Sequence, residues 1–200
     1  MGAMTVPFAG DRDQQEELDA VHIRAAQQDP TAFAPLYEAY VDAIYGYCWR
    51  LLRDSNAAAD ATSETFTKAL KALPTYRSKS FRSWLFTIAH RVVIDMARRQ
   101  RPTVPLDAAG EMHDPGATPE EHYLTGESDD RVVQLLAQLS PLQRDVIALR
   151  IAGLTGKEIA AVLGRRHGAI RMAQYRALER LRQLLDESTN ATKESPSGRV

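Results

Sequence analysis

The 200 residues include one cysteine, Cys48, and no apolar run near the ~18 residues that a membrane span needs. A lone cysteine excludes an internal disulfide framework and cannot by itself build a thiolate metal site. No glycine-rich phosphate loop is present, and the five histidines (22, 90, 113, 122 and 167) are scattered. Glu111, His113, Asp114, Glu121 and His122 could gather a metal, but a solvated acidic stretch explains them better. The expectation is therefore a protein that is not an enzyme and holds no metal or cofactor. No segment sustains the two-residue alternation of a strand. Met1 to Gly10 lacks the charged-then-apolar order of a secretory signal, so a cytoplasmic location is expected.

What is present is a globular balance of 44% apolar and 26% charged residues, enough for one ordinary domain or two small ones. The apolar residues recur at three- and four-residue steps. Phe33, Leu36, Tyr37, Tyr40, Ile44, Tyr47, Cys48 and Leu51 form one such series, and Phe66, Ala69, Leu70 and Leu73 a second. Trp84, Leu85, Ile88, Ala89, Val92 and Met96 form a third. This is the period of helices with one buried face. The predicted fold class is all-α. Helix starts are marked by Asp29-Pro30 and by three capping-box patterns, Thr118 with Glu121, Ser140 with Gln143, and Thr155 with Glu158.

The net charge of −1 conceals a strong segregation. Residues 1–18 carry −3, 19–64 carry −4, 65–101 carry +8, 102–130 carry −8 and 131–200 carry +6. The stretch 102–128 has four prolines, three glycines and no base, and reads as a flexible acidic linker. The predicted organisation is a disordered segment 1–18, a helical domain 19–101, the linker 102–128, a second helical domain 129–187 and a disordered tail 188–200. Basic blocks of this density suit contact with a polyanion.

Three segments carry function. Gly156–Leu163, the turn at 164–167 and a longer helix from about Gly168 form the pattern of a helix-turn-helix, whose second helix enters the DNA major groove. Ile170, Ala173, Ala177, Leu178, Leu181 and Leu185 are its expected buried face. Arg165, Arg166, His167, Arg171, Met172, Tyr175 and Arg176 remain exposed near its start, a composition suited to base edges and phosphates. The second segment interleaves aromatics and bases: Tyr76, Arg77, Ser78, Lys79, Ser80, Phe81, Arg82 and Trp84, then a helix ending Arg98-Arg99-Gln100-Arg101. Single-stranded nucleic acid is held by such sets, with rings stacking on bases and cations following the backbone. Trp84 lies on the apolar stripe and reads better as core, with Ser80 or Ser83 capping the helix. The third segment, Asp60 to Lys68, is by itself a solvated amphipathic helix in which Glu64 and Lys68 make an i,i+4 pair.

In this order the three segments resemble the extracytoplasmic-function (ECF) group of bacterial RNA polymerase sigma factors, over about residues 25–187. Asp60-x-x-x-Glu64-x-Phe66 is similar to the family's helix that docks on the polymerase clamp. Phe81-x-x-Trp84-Leu85-x-x-Ile88-Ala89 and Ile94-Asp95-x-x-Arg98-Arg99 are similar to its promoter-melting and −10-reading segment. Leu139-Ser140-Pro141-x-Gln143-Arg144-Asp145-Val146 and Gly153-Leu154-Thr155-x-x-Glu158-Ile159-Ala160-x-x-Leu163-Gly164 are similar to its −35-reading domain. Three departures stand out: Ser63 replaces the family's Gln, Arg91 its Asn, and Arg166 the Ser or Thr that caps the recognition helix.

The resemblance implies that Arg165, Arg166, His167, Arg171, Met172, Tyr175 and Arg176 contact −35 duplex. It assigns the single-stranded −10 non-template strand to Tyr76, Arg77, Ser78, Lys79, Ser80, Phe81, Arg82, Arg91, Arg98 and Arg99, with the loop 76–81 capturing a flipped base. It assigns core polymerase to Asp60, Ser63, Glu64, Thr67, Lys68 and Lys71. It also admits an anti-sigma protein as a partner. Promoter elements ~17 base pairs apart lie ~58 Å apart. The linker, relaxed at ~26–31 Å, reaches that span only when extended. The charge split suggests that the linker, folded back, screens the basic domains in the free protein. A stand-alone helix-turn-helix regulator is the alternative, disfavoured by the segments at 60–71 and 76–84.

Overall fold

A computed structural model describes residues 9–100 and 127–194, and every described element is helical. The order is α1 (Ala9–Gln28), a 3-10 turn (Pro30–Phe33), α2 (Ala34–Leu52), α3 (Ser55–Ala72), a 3-10 turn (Leu73–Thr75) and α4 (Phe81–Gln100). After the linker come α5 (Glu127–Ala137), α6 (Pro141–Ile151), α7 (Gly156–Val162) and α8 (His167–Glu194).

The capping residues act largely as their chemistry dictates. Asp29 accepts a hydrogen bond from the Thr31 amide at 2.9 Å, and this bond holds its carboxyl below the usual carboxylate range. Arg53 ends α2 in the left-handed region (φ 60°), and its amide donates to the Trp49 carbonyl at 2.9 Å. Such a conformation costs a non-glycine residue about 1–2 kcal/mol. Asp54 then caps α3 by accepting from the Ala57 amide at 2.6 Å, so α2 and α3 reverse within two residues. The Thr155–Glu158 box closes in both directions: the Glu158 amide donates to Thr155 Oγ1 at 3.3 Å and the Thr155 amide to Glu158 Oε2 at 2.7 Å. At Ser140 the backbone amide donates to Gln143 Oε1 at 3.0 Å. The Thr118 box lies outside the described residues, as do residues 102–126 of the linker and any fold-back of it, while Glu127 and Ser128, expected in the linker, open α5.

Helix α3 buries a strip of small residues, Ala57, Ala58, Ala61, Thr62, Thr65 and Ala69, against α2 and α4. The buried threonine hydroxyls are satisfied locally, donating to the carbonyls of Ala58 at 2.7 Å and Ala61 at 2.6 Å. Tyr40, Ile44 and Tyr47 of α2 meet Phe81, Leu85, Phe86 and Ala89 of α4 in the centre. That cluster does not stop at the linker: Val146, Leu149, Leu154, Ile159 and Ile170 of α6–α8 belong to it. The two helical regions are thus packed on each other, α7 against α4 and α6 against α2. A smaller cluster of Leu136, Leu139, Ile147 and Ala177 ties α5 to α6 and α8.

Several expectations need correction. Residues 9–18, expected to be disordered, are helical because α1 is anchored further along, where Asp19, Ile23 and Ala26 are buried. Residues 188–194 continue α8, while 1–8 and 195–200 lie outside the described residues. Tyr37 and Leu70, expected in the core, are 45% and 37% exposed. Leu178 and Leu185 are likewise exposed, because the buried stripe of α8 runs through Ile170, Ala173, Ala177 and Leu181 instead. Phe81 is no loop residue: it opens α4 and is 2% exposed, packed on Tyr40 at 5.4 Å between ring centres.

Candidate nucleic-acid and polymerase interface

The helix-turn-helix is built from α7, its turn and α8. Gly164 closes α7 at φ +60°, with open space around it, so backbone conformation rather than crowding selects glycine there. The Arg165 amide returns to the Ala160 carbonyl at 2.9 Å, completing the turn. At Gly156 a Cβ would sit 2.8 Å from His167 Nε2, the tip of an exposed side chain that lies over the start of α7. Arg150 fixes the second helix by donating to the Leu154 carbonyl and to Gln174 Oε1, each at 2.9 Å. On this frame Arg165, Arg166, His167, Arg171, Met172, Tyr175 and Arg176 are all exposed. Tyr175 donates to Glu179 Oε1 at 2.7 Å, and that carboxylate raises the phenol above its ordinary range. Arg150 and Gln174 escape sequence reasoning as a pair, since their 24-residue separation follows no helical period.

The aromatic-basic segment is disposed differently. Tyr76, Arg77, Ser78 and Lys79 line a cavity of about 390 Å³ whose opposite wall is α1, with Glu16, Asp19, Ile23 and Gln27. Gln27 Nε2 donates to the Leu73 carbonyl at 3.0 Å and to the Tyr76 carbonyl at 3.4 Å, holding the loop on α1. Tyr76 stands edge-on to Trp84 at 5.0 Å, and burial together with the Asp19 and Glu16 charges pushes its phenol up to about 12. Asp19 is buried and accepts from Tyr40 in a short bond, with Gln15 donating to its other oxygen at 2.9 Å. Burial, then the Asp19 partner, keeps Tyr40 protonated. The α1 wall goes unseen in the sequence because α1 is weakly amphipathic; the Ile23 and Ala26 spacing is its only signal.

Ser80 and Arg82 are engaged across the molecule. Ser80 Oγ accepts from the Ser83 amide at 3.2 Å, capping α4, and donates to Glu158 Oε1 of α7 at 3.1 Å. Arg82 is half-buried over the Tyr40 ring, 5.3 Å from its centre, and Nη1 donates to the Ala152 carbonyl at 3.1 Å. Arg91, Arg98 and Arg99 are exposed on α4. Arg98 borders a cleft of about 380 Å³ formed with His90, Val93, Pro141, Arg144 and Asp145. Burial pushes the Asp145 carboxyl up to about 6 and lowers His90, whose Nδ1 lies 2.8 Å from Tyr47 Oη.

On α3, Asp60, Ser63, Thr67, Lys68 and Lys71 are exposed, and Glu64 pairs with Lys68 at 2.7 Å. Exposed Tyr37, packed on Phe66 at 4.7 Å, adds an aromatic to this polar face. Among the described residues no group of acidic, histidine or cysteine side chains could hold a metal, and no helix is long and apolar enough to cross a membrane.

Residues 36–103 match the family Sigma-70 region 2 and residues 129–181 match Sigma-70, region 4. The chain is 34% identical over 185 residues to the ECF RNA polymerase sigma factor BldN of Streptomyces coelicolor, covering 90% of this chain and 69% of that protein. It is 34% identical over 179 residues to ECF RNA polymerase sigma factor SigD of Mycobacterium tuberculosis, covering 84% of each. Among solved structures, CnrH in complex with the cytosolic domain of CnrY superposes with a TM-score of 0.66 at 26% identity, over 84% of this chain and 96% of that one. The sigma factor RpoE in complex with the anti-sigma factor NepR, from Bartonella quintana, shares the fold at a TM-score of 0.58 and 22% identity. With both regions matched in order around a helix-turn-helix and a basic loop, the chain belongs to the ECF group of bacterial RNA polymerase sigma factors, non-catalytic proteins that direct polymerase to promoters.

Proposed function

We propose the following division of labour for this sigma factor. The exposed start of α8, through Arg165, Arg166, His167, Arg171, Met172, Tyr175 and Arg176, reads −35 duplex. Tyr76, Arg77, Ser78 and Lys79 receive an unstacked −10 base in the cavity below α1, while Arg91, Arg98 and Arg99 follow the strand's phosphates. The face of α3 with Asp60, Ser63, Glu64, Thr67, Lys68 and Lys71, extended by Tyr37, meets core polymerase.

The observation that carries this reading is the cavity beside the basic loop. At about 390 Å³ it lies in the range of small-molecule sites and above a single nucleobase's needs. A stand-alone duplex regulator has no use for such a cavity. An anti-sigma protein is part of the same proposal as the partner class that would compete with polymerase. The decisive experiment is transcription with core polymerase on promoter fragments from the source genome. A specific transcript that requires this protein, and that falls on Arg171→Ala or Lys79→Ala, is the expected result. Tight promoter binding without any transcript would favour the regulator.

A further inference from the structure

We propose that Glu16 of α1 selects the base admitted to the cavity, favouring one with an exocyclic amino group over thymine, an inference that rests on the −10 reading of Tyr76 to Lys79. The cavity has two unlike walls: Arg77 and Lys79 on the loop face Glu16 and Asp19 on α1. Phosphates are attracted by the first wall and repelled by the second. A strand laid along the loop therefore keeps its backbone outside and turns a base edge towards α1.

Most polar groups of the lining are already committed. Asp19 is buried and accepts on both oxygens, from Gln15 at 2.9 Å and from Tyr40. Gln27 directs its amide nitrogen to the Leu73 and Tyr76 carbonyls. Arg77 folds back, its Nη1 donating to the Tyr76 carbonyl at 2.7 Å, and Arg24 Nε donates to the Ala20 carbonyl of its own helix at 3.1 Å. Glu16 takes part in none of these bonds and is exposed where it lines the cavity. Its charge nevertheless reaches the loop: after burial and Asp19, it helps to push the Tyr76 phenol up to about 12.

An ionised carboxylate only accepts hydrogen bonds. Flipped bases are read on their Watson–Crick edge, where adenine, cytosine and guanine each offer an amino N–H. Thymine offers one imide N–H between two carbonyl oxygens, which repel the same charge. At about 390 Å³ the cavity takes a purine or a pyrimidine, so size leaves the choice to charge.

The test is transcription by the full chain with core polymerase, on a promoter fragment of the source genome carrying all four bases in turn at each non-template −10 position. At one position the parent is expected to use amino-bearing bases about fivefold better than thymine. Glu16→Ala should lose that preference there while every other position keeps its own. Glu16→Gln, whose amide donates as well as accepts, should raise the use of thymine. Gln27→Ala releases the loop from α1 and should lower transcription for all four bases alike, as should Lys79→Ala. Circular dichroism verifies that the variants are folded. A parent that accepts thymine equally at every position, or a Glu16→Ala variant with the parent's preferences, overturns selection by Glu16. A parent without transcripts, or Lys79→Ala equal to the parent, overturns the capture reading and this inference with it.

Discussion

The two regions proposed to face DNA use similar side chains in opposite ways. At the start of α8, Arg165, Arg166, Arg171 and Arg176 project into solvent from a helix fixed by Arg150 and Gln174. Around α4 the same kinds of residue are woven into the interior: Phe81 is core, Trp84 shields it, and Arg82 lies on Tyr40. The contrast fits the targets proposed for them. Duplex DNA presents its base edges to a rigid convex helix, whereas an unstacked base must be received in a concavity, whose walls are necessarily packed. A reader can be all surface; a trap cannot.

The sharpest way to break this contrast is at Phe81. Its burial predicts that Phe81→Ala lowers stability by about 3–5 kcal/mol, measured by urea denaturation of the whole chain. A variant that keeps full stability and loses only −10 binding would return Phe81 to the loop set. At α8 the expected pattern is reversed: Arg171→Ala or Arg176→Ala should cost about 1–3 kcal/mol in −35 binding, with the melting temperature unmoved. Arg166→Ala, if it loses only a phosphate, should weaken all duplexes alike and reduce the salt slope by about one.

Between the regions, Asp145 provides a pH test. Its folded-state carboxyl is raised from 3.8 to about 6, chiefly by burial, so the folded protein holds this proton more tightly than the unfolded chain. The penalty for keeping it ionised is complete above pH ~6 and vanishes below the unfolded value. Asp145→Asn should therefore stabilise the protein at pH 7.5 by about 1–2 kcal/mol, discounted for partial solvation, and by progressively less towards pH 4. His90, lowered by burial, acts oppositely in the parent: it favours the folded state above its unfolded value and opposes it as pH falls. Thermal melts of both proteins at several pH values separate the two. The smallest effect belongs to α3, where Lys68→Ala should remove about 0.3–0.5 kcal/mol of pairing with Glu64. A much larger loss of core-polymerase affinity in a pull-down would mark Lys68 as a contact and not merely a helix partner.

Legibility differed along the chain for physical reasons. The helices, the Thr155 box, the Gly164 turn and the exposed set from Arg165 to Arg176 are all local, each decided within a few residues by period, cap or backbone conformation. The cavity was only half legible: Tyr76 to Lys79 announced themselves by composition, while Glu16, Asp19 and Gln27 carry no local signature of facing them. Tyr37 and Leu70 sit on apolar stripes and yet are exposed, since a stripe wider than its neighbour leaves an edge in solvent. That edge lies where polymerase is proposed to dock.

By itself the sequence determined most of the helices, the capped starts, the charge segregation and the family, because each of these depends on residues close in the chain or on motifs in order. Only the tertiary structure decided that the two regions share a core, that α1 walls the cavity beside the basic loop, and that Arg82 and Ser80 are already engaged. A helical period reports that a face is buried without naming what buries it. Here the partners of α4 lie 70 and 78 residues away, and no spacing rule reaches across that distance.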